Sequence, residues 1–493
     1  MFSLAQLLNI LKKQFPGADL DMVKLAYDYA ARAHAGQVRL SGEPYVSHNL
    51  ATALNLAAMH VDLPTIQAGL LHDVPEETAY TTEDIKENFG EEVANLVDGI
   101  TKLSKLKYRG MERYVENLRK MFLALSKDVR VILIKFADRL HNLETLDVLS
   151  PEKQKRIALE SMEIFAPLAH RLGMWEIKGQ LEDLSFKYIQ PEDYAWVSTL
   201  MATTSPSKEK NLKIIMRALH TALTKQPDLK IYSIQGRAKH LYSLYKKLLR
   251  HDRDISRIYD LIAVRIIAES VVECYTLLGI IHQLWKPLRG RIKDYIAQPK
   301  PNGYQSLHTT VIVGPGEIVE FQIRTQKMDE EAQYGVAAHW LYVEKEKPKE
   351  GAKLDARLQK FSWVNELIKL QQEIKDTTKY LETVKIDVFP DNIFVFTPKG
   401  DVIALPDQAT PIDFAYHIHT DLGDKCTATR INNRLMPLST PLKSGDMVEI
   451  IIDKKRVRPS HDWLDFVKTR TAREHIKQSL NRASRLLTIF KRG

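Results

Sequence analysis

A change in the spacing of apolar residues after about Tyr194 restricts the fold of this chain more than any other feature. From Met1 to about Tyr194 apolar residues recur every three or four positions, as in MVKLAYDYAARAHA and RVILIKFADRLHNLETL, which is the period of an amphipathic helix. After about Leu223 short β-rich runs follow, namely LIAVRII, TTVIV and IVEFQIRT. The pattern predicts an all-α domain at residues 1–195 and an α/β domain at residues 196–345.

Beyond residue 345 the sequence predicts three smaller parts. A polar stretch rich in Lys and Glu, followed by FSWVNELIKLQQEI, indicates a linker helix at residues 346–384. Short strands that alternate with Pro, Gly and Asp turns predict a β-grasp-like module at residues 385–452, and a basic pattern predicts a short helical segment at 453–493. A total of 493 residues exceeds what one hydrophobic core usually organises, so several domains are expected.

Composition excludes some classes of protein. The two cysteines, Cys274 and Cys426, form no CxxC pair, which argues against a disulfide framework or a thiolate zinc site and favours a cytoplasmic location. No stretch approaches the roughly 20 apolar residues that a membrane-spanning helix needs. The net charge of +9 favours anionic partners such as nucleotides or RNA, although many proteins without such partners carry it too.

Two histidines and two aspartates in the helical part suggest a metal site. His48 ends SGEPYVSH, His72 and Asp73 are adjacent in LLHDVPEET, and Asp138 lies in FADRLHN. Neutral imidazoles and ionised carboxylates are donors that Mn²⁺, Zn²⁺ or Fe²⁺ accept. A His-Asp pair alone is more often a helix cap or an exposed polar position. Here the carboxylates stand among apolar residues, where an unpaired charge is costly.

Two further carboxylates follow the His-Asp pair. If the helix continues past Pro75, Glu76 lies one turn beyond His72 and Glu77 one turn beyond Asp73. Both would then stand beside the metal ligands, where a carboxylate can orient or deprotonate a metal-bound water. The sequence therefore predicts catalytic roles for Glu76 and Glu77.

Basic residues gather around one predicted helix of the α/β part: Arg237, Lys239, Lys246, Lys247 and Arg250. Such a run is usually a solvated helix face. Downstream, the loop in RGRIKDYIAQPKPNGYQSLHTTV is rich in Lys, Pro, Asn and Gly and offers an aromatic ring for stacking. The combination suits the enclosure of a polyphosphate.

Two carboxylates interrupt apparent strands that are otherwise apolar, Asp260 in IYDLIAVRII and Glu320 in EIVEFQIRT. Each carboxylate either pairs with an arginine, such as Arg265 or Arg324, or coordinates a cation, and the pattern leaves both readings open. Transfer of a phosphoryl group needs Mg²⁺ and a group that orients the attacking hydroxyl. One carboxylate for each role would suffice.

The segments AHAGQVRLSGEPYVSH, LLHDVPEET and KFADRLHNLETL resemble the hydrolase half of the RelA/SpoT family, a metal-dependent phosphohydrolase domain of the HD type. The resemblance implies hydrolysis of (p)ppGpp to GDP or GTP and pyrophosphate, with a Mn²⁺ ion held by His48, His72, Asp73 and Asp138. It also implies that Glu76 and Glu77 assist water attack on the 3′-pyrophosphate. The nucleoside would be held by Arg39, Ser41 and Asn142.

Residues from about 200 to 345 resemble the synthetase domain of the same family, which is related in fold to nucleotidyltransferases. The resemblance implies that Asp260 binds Mg²⁺, that Glu320 activates the 3′-hydroxyl of GDP or GTP, and that Tyr304 stacks on guanine. ATP would donate its β,γ-pyrophosphate, with AMP leaving, and would be held by Arg237, Lys239 and Lys247. The acceptor side would be completed by Lys300, Asn302, Gln305, His308 and Gln322. The tetrapeptide RIKD resembles the basic version found in bifunctional members.

Five positions depart from the pattern of the family. Leu40 stands where a Lys is usual, Glu77 where an Asp is usual, and Glu144 where an Arg is common. The loss of two basic residues removes potential phosphate partners. Asp329 and Gln333 replace a common His and a frequent Glu. Hydrolase activity is expected, but a synthetase with a degenerate, regulatory HD domain stays open as an alternative.

Residues 385–452 resemble a TGS domain. In ribosome-associated members this region contacts deacylated tRNA, so the resemblance implies the ribosome and tRNA as partners, with His419 as the contact. His417 and His419 stand two apart on an apparent strand and would share a face, but no further ligand pair stands nearby, which argues against a metal site.

The segment HDWLDFVKTRTAREHIKQSL resembles the start of the helical region that follows the TGS domain in this family. On this reading the later regulatory modules are missing, either because the member is naturally short or because this is a piece of a longer protein. A ribosome- or tRNA-binding regulator with vestigial catalytic sites is an alternative from another class. The sequence does not decide between GDP and GTP, and it leaves the oligomeric state open.

Overall fold

The computed structural model describes most of the chain. Its contacts divide the chain into two compact units, residues 1–373 and residues 374–493. The described residues are 3–104, 120–121, 123–125, 127–226, 229–238, 240–251, 253–255, 258, 262–300, 303–314, 317–338, 392–398, 402–443, 446–453, 456, 458–469 and 471–480. The predicted linker helix at 346–384 lies outside them.

The first part of unit 1 is all-α, as the helical period predicts. In helix Leu63–Leu71 the local sequence determines where the helix begins. Asp62 caps its N-terminus by accepting a hydrogen bond from the Thr65 amide, and a proline occupies its first turn. The other helical segments are Leu4–Gln14, Asp21–Ala33, Val46–Ala58, Val74–Glu77, Thr82–Ser104 with an interruption at Gly90, Arg130–Glu144, Leu146–Val148, Pro151–Glu160, Ser161–Phe165, Ala166–Arg171 and Trp175–Ile189.

A single helix, Pro191–Leu223, joins the all-α part to the α/β part. The predicted boundary between residues 195 and 196 falls inside this helix. Its C-terminal half carries Ile215 and Leu219 into the same buried cluster as Val264 and Phe321 of the sheet. The helix therefore contributes to the core of the α/β part.

The α/β part is built on one mixed sheet, which confirms its predicted class. The strands are β1 Ile231–Ala238, β2 Ile262–Ala268, β3 Lys286–Asp294, β4 Leu307–Val313 and β5 Glu317–Thr325. Their order is β1-β2-β5-β4-β3, with β2 and β5 parallel and the other pairs antiparallel. Helices Val271–Leu284 and Gln326–Tyr334 pack on the sheet, while helix Leu241–Arg250 packs against helices Trp175–Ile189 and Pro191–Leu223.

The second unit contains two small sheets. Strands β6 Asn392–Phe396 and β7 Val402–Pro406 pair with each other, while β8 Cys426–Ile431 lies between β9 Arg434–Met436 and β10 Val448–Ile452. Helices Pro411–Ile418, Thr420–Asp424 and Trp463–Phe466 accompany them.

The strand reading of His417 and His419 is wrong. His417 lies in helix Pro411–Ile418, and His419 caps the next helix. Thr410 and Asp413 form a capping box around a proline at the first helical turn, which is a strong helix-start signal. This local chemistry overrides the strand-like alternation of the short segment.

The segment after residue 452 packs onto the preceding module. Asp413 accepts hydrogen bonds from the backbone amides of Lys468 and Thr469 at 2.9 and 2.7 Å. One buried cluster contains Ile412, Tyr416, Cys426, Trp463, Val467, Ala472 and Ile476. The predicted boundary at 452 therefore divides one packed unit. Among the residues that the structure describes, no helix combines the length and apolarity needed to cross a bilayer.

Candidate active sites

The helical part brings the predicted metal ligands together. Ligand atoms of His48, His72 and Asp138 all lie within 4.8 Å of one another. His48 Nε2 lies 3.4 Å from Asp73 Oδ2 and 3.3 Å from Asp138 Oδ1, and His72 Nε2 lies 3.2 Å from Asp73 Oδ1. Three separate helices thus converge on one point, because His48 is near the start of Val46–Ala58, His72 ends Leu63–Leu71, and Asp138 is on Arg130–Glu144.

The donor set fits a divalent cation. His72 Nδ1 donates to the Gly69 carbonyl oxygen at 2.8 Å, which leaves the lone pair on Nε2. That nitrogen is buried and makes no hydrogen bond, while burial lowers the pKa of His72. A neutral imidazole whose second nitrogen is fixed by a backbone carbonyl is the usual form of a histidine ligand.

The two aspartates are held in their ionised form. Burial alone would raise the pKa of Asp73 and that of Asp138. The neighbouring His72 and His48 hold the pKa of Asp73 below its usual range, and Lys135 and His48 do the same for Asp138. Burial lowers the pKa of His48, but its bonds to the two carboxylates raise it overall. The centre therefore contains two ionised carboxylates, which can coordinate a cation.

The helix that leads to His72 ends before Pro75, but Glu77 does lie one turn beyond Asp73, because its backbone amide donates to the Asp73 carbonyl oxygen at 3.0 Å. Helix Leu63–Leu71 ends at His72, and a separate turn, Val74–Glu77, begins after Asp73. Gln37 Nε2 donates to the Glu77 carbonyl oxygen at 2.8 Å and holds this turn. The roles of Glu76 and Glu77 stay predictions.

A cavity of about 1350 Å³ opens beside the His and Asp cluster. Arg39, Ser41, Asp138 and Asn142 line it, and Arg39 donates to Asn142 Oδ1 at 3.0 Å. Leu40, 78% exposed, also lines this cavity. Such a volume accommodates a nucleotide.

Sequence reasoning missed two residues at this site, Lys135 and His141. Lys135 Nζ donates to Asp138 Oδ2 at 2.8 Å, and His141 Nδ1 lies 2.8 Å from His48 Nδ1. Both are three residues from Asp138 along its helix. The i, i+3 spacing was an available signal.

The α/β part holds a second polar site on neighbouring strands. Tyr304 Oη lies 2.8 Å from His308 Nε2, and His308 Nδ1 lies 2.8 Å from Glu320 Oε1. A carboxylate only accepts, so His308 donates from Nδ1 and accepts the Tyr304 hydroxyl at Nε2. Burial lowers the pKa of His308, which keeps the imidazole in this neutral form. The expectation that Glu320 lies on a strand is confirmed.

Lys300 stands among three aromatic rings in this site. Its Nζ lies 5.6 Å from the ring centre of Trp175, 4.8 Å from that of Tyr295 and 5.2 Å from that of Tyr304. Burial, together with Lys293, lowers the pKa of Lys300 to about 8. The cavity here measures only about 250 Å³, which is below the usual size of a ligand pocket.

The two arginines considered as partners of Glu320 pair elsewhere. Arg324 and Arg265 contact Asp329 Oδ1 at 2.5 and 3.4 Å, whereas Glu320 contacts His308 and accepts from Gln322 Nε2 at 3.2 Å. Asp329, which departs from the family pattern, therefore neutralises two buried guanidinium groups.

The remaining predicted residues are placed unevenly. Gln322 lines the smaller cavity, while Gln305 donates to the Ile296 carbonyl oxygen at 3.2 Å. Lys247 is half-buried on helix Leu241–Arg250. His419 is exposed, and its Nδ1 accepts from the Asp421 amide at 3.2 Å. Three predicted residues lie outside the described part of the chain, namely Lys239, Asp260 and Asn302, and the side chain of Arg237 lies outside it too.

Three family models match the chain in the predicted order. They are described as an HD domain at residues 26–175, a region found in RelA/SpoT proteins at residues 236–347, and a TGS domain at residues 393–452. The matches confirm the three domain types.

Curated relatives match almost the whole chain. A GTP pyrophosphokinase from Myxococcus xanthus is 47% identical over 475 residues, 95% of this chain and 62% of the relative. A guanosine-3′,5′-bis(diphosphate) 3′-pyrophosphohydrolase from Aquifex aeolicus is 46% identical, over 98% of this chain and 68% of the relative. The bifunctional (p)ppGpp synthase/hydrolase SpoT from Escherichia coli K12 is 43% identical, also over 98% of this chain and 68% of the relative.

The chain spans about 60% of the length of the Myxococcus relative. The similarity to the Escherichia coli relative extends through the cluster of histidines and aspartates in the helical part, the second polar site and the C-terminal unit. Agreement over this length means that the chain belongs to the RelA/SpoT family.

Proposed function

We propose that this chain is a bifunctional alarmone enzyme of the stringent response. It transfers pyrophosphate from ATP to the 3′-hydroxyl of GDP or GTP, giving (p)ppGpp and AMP, and it hydrolyses (p)ppGpp to GDP or GTP and pyrophosphate. The observation that carries the proposal is the presence of two separate polar sites in unit 1. One contains histidines and aspartates that could bind a metal ion, and the other contains Glu320, His308 and Tyr304 joined by hydrogen bonds. The names of relatives that carry either activity support it.

In hydrolysis, His48, His72, Asp73 and Asp138 hold the cation, which we assign as Mn²⁺. A bound divalent cation polarises phosphate and lowers the pKa of water. Arg39 and Asn142, already bonded to each other, hold the nucleoside together with Ser41. Glu76 and Glu77 orient the attacking water. Its oxygen bonds to the phosphorus attached to the 3′-oxygen, that P–O bond breaks, and a water proton ends on the 3′-oxygen.

In synthesis, Glu320 takes the proton of the 3′-hydroxyl of the acceptor. The 3′-oxygen bonds to the β-phosphorus of ATP, and the bond between that phosphorus and the α,β-bridging oxygen breaks, so that AMP leaves. Tyr304 stacks on guanine, and Lys300 and Gln322 complete the acceptor side with Asn302, Gln305 and His308. The donor phosphates are held by Arg237, Lys239 and Lys247, and Mg²⁺ by Asp260.

The C-terminal unit extends the proposal to partners. We assign the TGS domain a contact with deacylated tRNA on the ribosome, centred on His419, whose imidazole is exposed between two short helices. The two cysteines are free and buried, in keeping with a reducing, cytoplasmic location.

The test uses purified chain in two assays. With ppGpp labelled in its 3′-phosphates and Mn²⁺, labelled pyrophosphate is expected, and EDTA abolishes its release. With γ-labelled ATP, GDP and Mg²⁺, labelled ppGpp and one AMP per ppGpp are expected. Synthesis without hydrolysis would reduce the enzyme to a synthetase with a regulatory HD domain. Absence of both would favour a ribosome-binding regulator.

A further inference from the structure

Lys135 is a largely buried cation beside the hydrolase centre. It lies on helix Arg130–Glu144, three residues before Asp138 and therefore on the same face. Its side chain is 18% exposed and lines the larger cavity. Lysine is seldom buried unless it is paired, and here Nζ donates to Asp138 Oδ2 at 2.8 Å.

The two oxygens of Asp138 have different neighbours. Oδ1 lies 3.3 Å from His48 Nε2 and accepts a short hydrogen bond from Asn142 Nδ2. Oδ2 accepts from Lys135. Since a carboxylate rotates as a unit, the bond from Lys135 to one oxygen fixes the orientation in which the other oxygen faces His48.

We propose that Lys135 is a positioning residue of the metal centre, which holds Asp138 so that Oδ1 is presented to the cation. The inference rests on the proposed hydrolase function, because it deepens the metal site of that function. Partners of this kind orient metal ligands, and their loss typically costs about 10–100-fold in metal affinity or activity.

Two physical effects of Lys135 oppose each other, and this makes the inference testable. Its positive charge repels a divalent cation nearby, so removal of the charge alone would strengthen metal binding. Its hydrogen bond orients Asp138, so removal of the bond would weaken metal binding. The direction of the change therefore shows which effect dominates.

The experiment titrates the metal-stripped 493-residue chain with Mn²⁺ and follows free Mn²⁺ by electron paramagnetic resonance, without nucleotide. For Lys135→Met we expect a dissociation constant about 10–100-fold higher than for wild type. Lys135→Arg keeps a donor and a charge and restores most of the affinity. Lys153→Met, at an exposed position of the same part, serves as the matched control and leaves the affinity unchanged.

Unchanged or tighter Mn²⁺ binding by Lys135→Met overturns the proposal, and so does a wild-type chain that binds no Mn²⁺. Synthetase activity of each variant reports that the chain is folded. If Lys135→Met loses that activity, Lys135→Leu, which also has no donor, is measured instead, and the same weakening is expected.

Kinetics separate positioning from substrate contact. In Lys135→Met, excess Mn²⁺ restores ppGpp hydrolysis if Lys135 acts through Asp138. A raised KM for ppGpp that persists at saturating Mn²⁺ shows a direct phosphate contact and contradicts the positioning role. A wild type that binds Mn²⁺ but hydrolyses nothing would refute the proposed function while leaving the metal measurement valid.

Discussion

Gly179 lies where helix Trp175–Ile189 meets the α/β part, and replacing it with Ala tests that contact. A Cβ built at Gly179 would lie 2.2 Å from His240 Nε2, 2.4 Å from Cδ2 and 2.5 Å from Cε1. Cβ contacts under 3.0 Å essentially do not occur. The imidazole would therefore have to retreat by about 0.8 Å, which overpacks the contact.

The retreat also disturbs an ion pair. His240 Nδ1 donates to Asp183 Oδ2 at 2.8 Å. Burial would lower the pKa of His240, but its bonds to Asp183 and Glu176 raise it to about 9, so the pair is charged at neutral pH. Overpacking costs about 1–3 kcal/mol, a hydrogen bond to a charged group about 1.5–3 kcal/mol, and Ala gains about 1 kcal/mol over Gly inside a helix. We expect a net loss of about 1.5–5 kcal/mol for Gly179→Ala, the balance of these three terms.

The assay is urea unfolding followed by circular dichroism at pH 7. Gly279→Ala is the control, because Gly279 is also inside a helix but no atom outside that helix lies within 4 Å of the Cβ that alanine would add; it should gain about 0.5–1 kcal/mol. The reasoning is refuted if the unfolding free energies of the two variants differ by less than about 1 kcal/mol, because overpacking alone should cause at least that difference.

The pH dependence gives the same prediction a second check. A histidine whose folded pKa is raised to about 9 contributes stability that is fully present below its unfolded pKa of about 6.5 and is lost as the pH rises through 9. Since Gly179→Ala disrupts this contribution, its penalty should be smaller at pH 9.5 than at pH 7. An equal or larger penalty at high pH would show that the His240 pair is not involved.

Three further predictions concern other sites. Because the pKa of Lys300 is about 8, kcat/KM for GDP should fall as the pH rises above 8. In Lys300→Arg this fall should occur at higher pH. A fall at the same pH as in the wild type contradicts the role of Lys300. Trp175→Ala should lower the KM for GDP about fivefold, since it frees Lys300 from a cation–π contact worth about 1 kcal/mol; a raised KM contradicts this account of Trp175. Asp413→Ala should destabilise the C-terminal unit by about 2–3 kcal/mol, because the Lys468 and Thr469 amides lose their acceptor; unchanged thermal unfolding would exclude this.

Much of the fold was predictable because local patterns were strong. The helical period of residues 130–144 and the apolar run of β5 specify their elements directly. The metal centre was predictable because His72 and Asp73 are adjacent and follow two apolar residues, which is also a strong local pattern. Strand β3 escaped prediction because it is an exposed, basic strand at the sheet edge with no apolar alternation.

The contacts between distant parts of the chain could not be predicted. Trp175 approaches Tyr304 to 6.2 Å between ring centres although 129 residues separate them, and Asp329 on helix Gln326–Tyr334 neutralises Arg265 on β2. No local pattern encodes such pairs, because they depend on how the helix and the sheet pack. The break in the helix after Leu71, by contrast, has a local cause, because Pro75 has no N–H to donate to the Leu71 carbonyl four residues before it.

The central claim is that one chain carries two independent and opposed catalytic sites, and paired variants test it most directly. Asp138→Asn and Glu320→Gln change one charge each while keeping side-chain shape, and both reactions are measured on each variant. The account predicts that Asp138→Asn loses hydrolysis of ppGpp and keeps synthesis, while Glu320→Gln loses synthesis and keeps hydrolysis. Loss of both activities in either variant, or full hydrolysis by Asp138→Asn, would contradict it.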